Sequence, residues 1–382
     1  MPTLFDQIES MSDPLLSLYE QYTASVIQDI ARRLKALGMT DASAWQMQRL
    51  IESGKTYEFA LEKIARLTQK SDAELRKLFR EAGVRAVAFD DKVYRAAGLT
   101  PQPLHLSPAM AQVLAAGLRK TSGVMHNLTM TTAISAQSSF IGAADLAYMQ
   151  VSSGAMSYTE AIRYAIKSAA SKGLPVIYYS SGHRDQLDVA MRRTVLTGVS
   201  QTAGNLQMAR AREMGVEHVA VSAHAGARNT GAGHRNHESW QGKVYRLVGF
   251  DTEYQNFEEV TGYGTVDGIY GANCRHTTYP WYEGISRQMY SQSELESMSS
   301  QTVDYNDKTM SVYEATQVQR EIERKIRYWK RQGGALDAAR LDTEYEQGKV
   351  KHWQGRMRDF IQQMNRQYEP RGIRWHRQYE RE

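Results

Sequence analysis

The amino-acid sequence predicts a mainly α-helical protein with one small α+β module embedded in its second half. Two observations carry this expectation. Apolar residues recur at three- and four-residue steps before residue 215 and again after residue 290, the period of an amphipathic helix. Between those limits the period is lost, and glycine and histidine crowd together, which suggests tight turns and short strands. Four segments follow: an N-terminal helical region (1–120), an Ala/Ser/Thr-rich helical region (121–215), a Gly/His-rich α+β module (216–290) and a basic C-terminal helical hairpin (291–382).

Leu15, Leu18, Tyr22, Val26, Ile30 and Leu34 form the first apolar stripe. Asp13 before Pro14 reads as its start, an N-cap acceptor followed by proline at the first helical position, and Gly38 as its stop. Tyr57, Leu61, Ile64 and Leu67 continue the period. Ser71 with Glu74 then reads as a capping box opening a separate helix, and Ser107-Pro108 as another start. From 121 to 215 large apolar residues give way to Ala, Ser, Thr and Met, side chains small enough to let helix backbones approach closely. Ser157 with Glu160 is a further capping box, and Gly173-Leu174-Pro175 a stop before the β-prone run Val176–Tyr179. Asp188 to Met214 is again helical. Val216–Val221 and Lys243–Val248 read as strands. Ser293 with Glu296 and Ser311 with Glu314 are two more capping boxes, and Gly333-Gly334 divides the last two helices.

Composition narrows the function classes. Of 382 residues 42% are hydrophobic and 23% charged, ordinary values for a folded chain, and mean hydropathy is −0.54. The longest uncharged stretch, Thr121–Ala144, is too rich in Ser, Thr and Asn to lie in lipid. No secretion signal and no membrane contact are expected. One cysteine, Cys274, excludes an intrachain disulfide. Net charge is +5, and it is uneven: residues 312–382 hold 16 Lys/Arg against 11 Asp/Glu, whereas the rest is balanced at 31 of each. Aromatics (Tyr328, Trp329, Trp353, Phe360, Tyr368, Trp375 and Tyr379) are interleaved there. Such a tract suits either a solvated helical hairpin with its aromatics inside or an acidic partner such as DNA.

Five of the ten histidines and the lone cysteine fall between residues 218 and 276. Imidazole and thiolate are the preferred zinc ligands. His234-x-x-His237 and Cys274-x-His276 offer two short pairs, and His224, His237, Cys274 and His276 are the candidate metal ligands. The same residues equally suit hydrogen bonds that hold irregular loops together. Catalytic signals are weak. Ser181, His183 and Asp185 are close in sequence, but a triad is assembled from separated segments. No phosphate-binding loop or dinucleotide fingerprint occurs.

Three motifs in order, Ser222–Arg228 (SAHAGAR), His237–Tyr245 (HESWQGKVY) and Gly271–His276 (GANCRH), resemble the minor capsid protein 2 family of tailed bacteriophages. So do Asp188–Thr202 and Gln317–Lys330. The resemblance covers most of the chain and implies a minor structural head protein; no enzymatic activity is expected, because the residues offer no catalytic constellation. That protein would assemble with portal and capsid proteins in the host cytoplasm. It would end in the virion, in the capsid interior or at the portal vertex, near packaged double-stranded DNA. His224, Arg228, His237, Trp240, Gln241, Asn273, Cys274 and His276 match family motif positions, which the resemblance ties to the integrity of the module. No cofactor is required, zinc being the one the residues suggest. The alternative is a metal-dependent hydrolase or nuclease carried in the head.

Overall fold

The computed structural model describes residues 4–38, 41–250 and 252–368. The protein is mainly helical, with small sheets inserted between residues 175 and 311. Helices α1 (Leu4–Ala36), α2 (Ala42–Ala96), α3 (Pro108–Ser152), α4 (Tyr158–Lys172) and α5 (Leu187–Glu213) pack around one apolar core. Val26, Leu34, Ala60, Phe140, Ile166 and Met191 all lie within it. A hairpin of β1 (Pro175–Tyr178) and β2 (Arg184–Gln186) joins α4 to α5.

Two expected helix starts are absorbed into longer helices. Pro14 lies inside α1 rather than at its start. Its ring removes the hydrogen bond to the Ser10 carbonyl, but Ser10 and Pro14 both face solvent, so water can satisfy that oxygen. The buried stripe already begins at Phe5 and Ile8. Ser71 likewise caps nothing: it is buried in mid-α2 and its hydroxyl donates to the Thr68 carbonyl (3.1 Å). Ile64, Leu67, Leu75 and Leu78 continue one buried face across it, and packing overrides the local signal. Ser107 and Ser157 do cap helices, accepting from the amides of Met110 and Glu160. Gly173 ends α4 with φ 61°.

The small residues of α3 and α5 bring these helices into close contact. A Cβ at Gly117 would lie 2.0 Å from Thr202 Oγ1, and one at Gly198 would lie 2.2 Å from Thr121 Oγ1. Glycine and threonine thus alternate at four-residue spacing on both helices, each glycine receiving the other helix's threonine.

Following α5, strands β3 (His218–Val221), β4 (Val244–Arg246) and β5 (Thr278–Trp281) form an antiparallel sheet in the order β4-β3-β5. Val219 pairs with Tyr245 on one side and Pro280 on the other. Proline within β5 is tolerated because β5 is an edge strand. The sheet, the short helix α6 (Phe257–Thr261) and the intervening loops enclose a second core of Val219, Val221, Trp240, Tyr245, Phe257 and Tyr270, against Met208 of α5. Gln207 of α5 ties the two units: its amide donates to the Thr278 carbonyl (3.0 Å) and accepts from the hydroxyls of Tyr270 and Thr277.

Helix α7 (Gln292–Ser299) is capped by Ser291 with Glu294 rather than by Ser293 with Glu296, two overlapping forms of one motif. Strands β6 (Thr302–Tyr305) and β7 (Lys308–Ser311) make a hairpin whose turn, Asn306-Asp307, takes positive φ at both residues. Ser311 with Glu314 opens α8 (Val312–Ala338), which runs through Gly333-Gly334 without a break. There Ala335 and Leu336 enter the main core, and the Gln332 amide donates to the Lys167 carbonyl. The chain turns instead at Arg340, with φ 54°. Helix α9 (Glu344–Tyr368) folds back on α8 over Ile322, Ile326, Met357 and Phe360. Trp375 and Tyr379 of the basic tract, and the Tyr368 side chain, lie outside the described residues. Among the described residues, no helix is long and apolar enough to cross a membrane.

Candidate functional site

The long connections of the small sheet bring the sequence motifs together. Between β3 and β4, His237–Ser239 forms a single 3₁₀ turn, closed by the Trp240 amide donating to the His237 carbonyl, which also accepts from the Gln241 amide (3.1 Å). Trp240 is buried beneath it. Its indole donates to the His234 carbonyl (3.0 Å), and its own carbonyl accepts from the Tyr245 hydroxyl (2.7 Å). Between β4 and β5, Asn273 adopts a left-handed conformation (φ 60°), one that asparagine tolerates better than most residues. The extended run Cys274-Arg275-His276 then leads into β5, so the side chains at i and i+2 share a face. Arg228 joins the two connections, donating to the carbonyls of Ala272 (2.8 Å) and Asp267 (3.4 Å).

Three candidate ligands meet. One donor atom each from His237, Cys274 and His276 lies within 4.8 Å of the others, and all three side chains are buried. Cys274 Sγ and His276 Nδ1 are 3.5 Å apart. His224 is not among the three; its ring packs on that of His276 (centroids 4.5 Å), and its Nδ1 faces the Ala225 carbonyl. His234 also turns elsewhere, pairing with the Asp267 carboxylate (3.1 Å), which holds Arg235 as well.

Hydrogen bonding sets the tautomers of the two buried imidazoles. Gln241 Oε1 accepts from the His224 backbone amide (3.0 Å), which identifies that atom as oxygen. His276 Nε2, 3.1 Å from the same oxygen, must therefore carry its proton. His237 Nε2 donates to the Asp267 carbonyl (2.9 Å) for the same reason. Each ring is left with a lone pair on Nδ1. Burial lowers the pKa of His237 to about 4, and burial with the nearby His224 and His237 rings takes His276 well below the usual imidazole range. Burial pushes the Cys274 thiol up to about 11. Both imidazoles are neutral, as metal ligation requires.

Other sequence candidates form local structure. His183 pairs with Asp185 (3.1 Å), and Asp185 is also held by Tyr179 and Arg193, while Ser181 lies on the exposed β1–β2 turn. Asp267 and Gln207 had no signal in motif spacing. Gln207 stands out only as a polar residue on the buried face of α5, and Asp267 contributes chiefly through its backbone.

Residues 5–362 match the family described as phage minor capsid protein 2. The chain belongs to that family. It is also 23% identical over 330 residues to a structural protein of Lactococcus phage LL-H, covering 81% of this chain and 82% of that protein. No solved structure matches. Family and relative together show a structural protein of a phage virion. The SAHAGAR, HESWQGKVY and GANCRH motifs of this minor capsid protein are thus the segments that build the buried cluster.

Proposed function

We propose that this minor capsid protein sits at the portal vertex on the inner side of the head. There it assembles with portal and capsid proteins and lays its C-terminal hairpin against packaged double-stranded DNA. The observation that carries this reading is where the positive charge of the hairpin goes. Arg327 and Arg331 of α8 turn inward toward Asp188 (3.7 and 3.6 Å). Lys351, Arg358 and Arg366 are exposed and fall on one side of α9, seven and eight residues apart. Among the described residues, the aromatics are already engaged. Phe360 is buried, and Lys325 and Arg356 lie over the Trp353 ring at 6.0 and 5.0 Å. Binding would be electrostatic rather than by base stacking.

Excision of residues 312–382 is not a clean test, because Leu336 belongs to the main core and Val312 packs against Gly226 of the module. Charge reversal in the full chain is. Lys351→Glu, Arg358→Glu and Arg366→Glu together should weaken double-stranded DNA retention. The slope of log K against log salt should become shallower by about 0.9 for each phosphate that is no longer neutralised. Retention and slope unchanged from wild type would remove DNA as the partner and leave an acidic portal surface in its place.

A metal-dependent hydrolase needs a metal with a coordination position open to substrate. His237, Cys274 and His276 are 2%, 1% and 4% exposed, which argues for a role internal to the module and against turnover. Cleavage of DNA by purified protein with added divalent metal, abolished by His237→Ala, would reverse that judgement.

A further inference from the structure

We infer that His237, Cys274 and His276 bind one zinc ion that staples the two long connections of the small sheet. The module needs a staple. Its strands are three or four residues long, and the connections between them run through residues 222–243 and 247–277, longer than unsupported loops in folded proteins usually are. His237 lies in the first connection and Cys274 and His276 in the second, so one ion would cross-link them where Arg228 already bridges their backbones.

The donor set favours zinc. Two imidazole nitrogens and one sulfur, with no carboxylate among them, suit a borderline-soft ion rather than magnesium or calcium. The geometry around the donors favours a metal over hydrogen bonding alone. Ligating histidines characteristically donate their second ring N–H to a carbonyl, and both rings do so here, to Asp267 O and Gln241 Oε1. Both Nδ1 lone pairs are thereby preserved. The 3.5 Å between Cys274 Sγ and His276 Nδ1 is close to the separation of two ligands on one tetrahedral zinc, and the three donors, within 4.8 Å of one another, would close by about 1 Å around the ion. Binding balances simply: the Cys274 thiol releases its proton to solvent, its sulfur bonds to zinc as thiolate, and the neutral imidazoles lose nothing. Burial makes the ion structural.

The test uses full-length protein purified without chelator from zinc-supplemented medium. Elemental analysis should find close to one zinc per chain. Apoprotein titrated with cobalt(II) should develop the thiolate-to-cobalt charge-transfer band, saturating at one equivalent and erased by added zinc. Cys274→Ser should lose that band. Gln241→Ala, which removes the acceptor behind His276 together with that of the His224 amide, should keep it with affinity weakened about 10–100-fold. The wild-type cobalt titration stands by itself, whether or not Cys274→Ser folds: no band and no zinc in folded wild-type protein overturn the proposal. Zinc that is bound but whose removal leaves both the thermal midpoint and the protease resistance of residues 222–277 unchanged overturns the stapling role.

Discussion

Asp90 lies at the junction of α2, α5 and the module, where its surroundings act strongly on its carboxyl. One carboxylate oxygen accepts from the Gln207 amide (3.1 Å), and the side chain is 2% exposed. Burial pushes its pKa up to about 8, with neighbouring Asp91 adding to the effect and Arg210 opposing it. Tyr94 of the same helix and Tyr270 of the module also face it. The folded value lies above the unfolded one of about 3.9, so the unfolded chain gives up this proton first as pH rises. Asp90 therefore costs stability progressively from about pH 4 to about pH 8. Asp90→Asn should flatten that decline, and the variant's advantage over wild type in urea unfolding should grow between pH 5 and pH 8. An identical pH slope for the two proteins would contradict the assignment. Nothing in the residue pattern marked Asp90, since adjacent aspartates on a helix read as surface. The histidines and Cys274 were legible because donor-rich side chains are scarce elsewhere in the chain. Which of them converge was not, because Asp267 and Gln241 decide it through three-dimensional contacts.

Among the elements, periodicity located helices better than it bounded them. The capping motifs at Ser157 and Ser311 are used as expected, whereas that at Ser71 is overridden by a buried stripe running through it. Local chemistry proposes an end, and packing decides whether the chain takes it. The Asn306-Asp307 turn was a readable hairpin signal between two alternating runs, hidden by the helical pattern around it. The Ala/Ser/Thr-rich character of α3 had a direct structural meaning in its contact with α5. Gly198→Ala should destabilise the protein by about 1–3 kcal/mol, because the added methyl meets Thr121 and neither backbone can withdraw cheaply. Thr121→Ala in the same chain should recover part of that loss, giving a coupling of about 0.5–3 kcal/mol in a double-mutant cycle. Strictly additive effects would show that the helices are not held at that separation.

Across the molecule, α8 and α9 are built into the bundle rather than appended to it. Glu346 at the start of α9 is fully buried and pairs with Lys167 (2.7 Å) and Arg163 (3.2 Å) of α4. The charge count foresaw the basic C-terminal region but not this anchorage, which no composition reveals. The proposed arrangement has the bundle as a rigid body, the module held on α5 and the exposed basic side of α9 turned toward an acidic partner. The most direct measurement is a cryo-EM reconstruction of the virion without imposed icosahedral symmetry. Density for this helical bundle is expected beside the portal, inside the shell, with α9 toward the packaged DNA. Density distributed over the whole shell, or absent from the portal vertex, would contradict that placement.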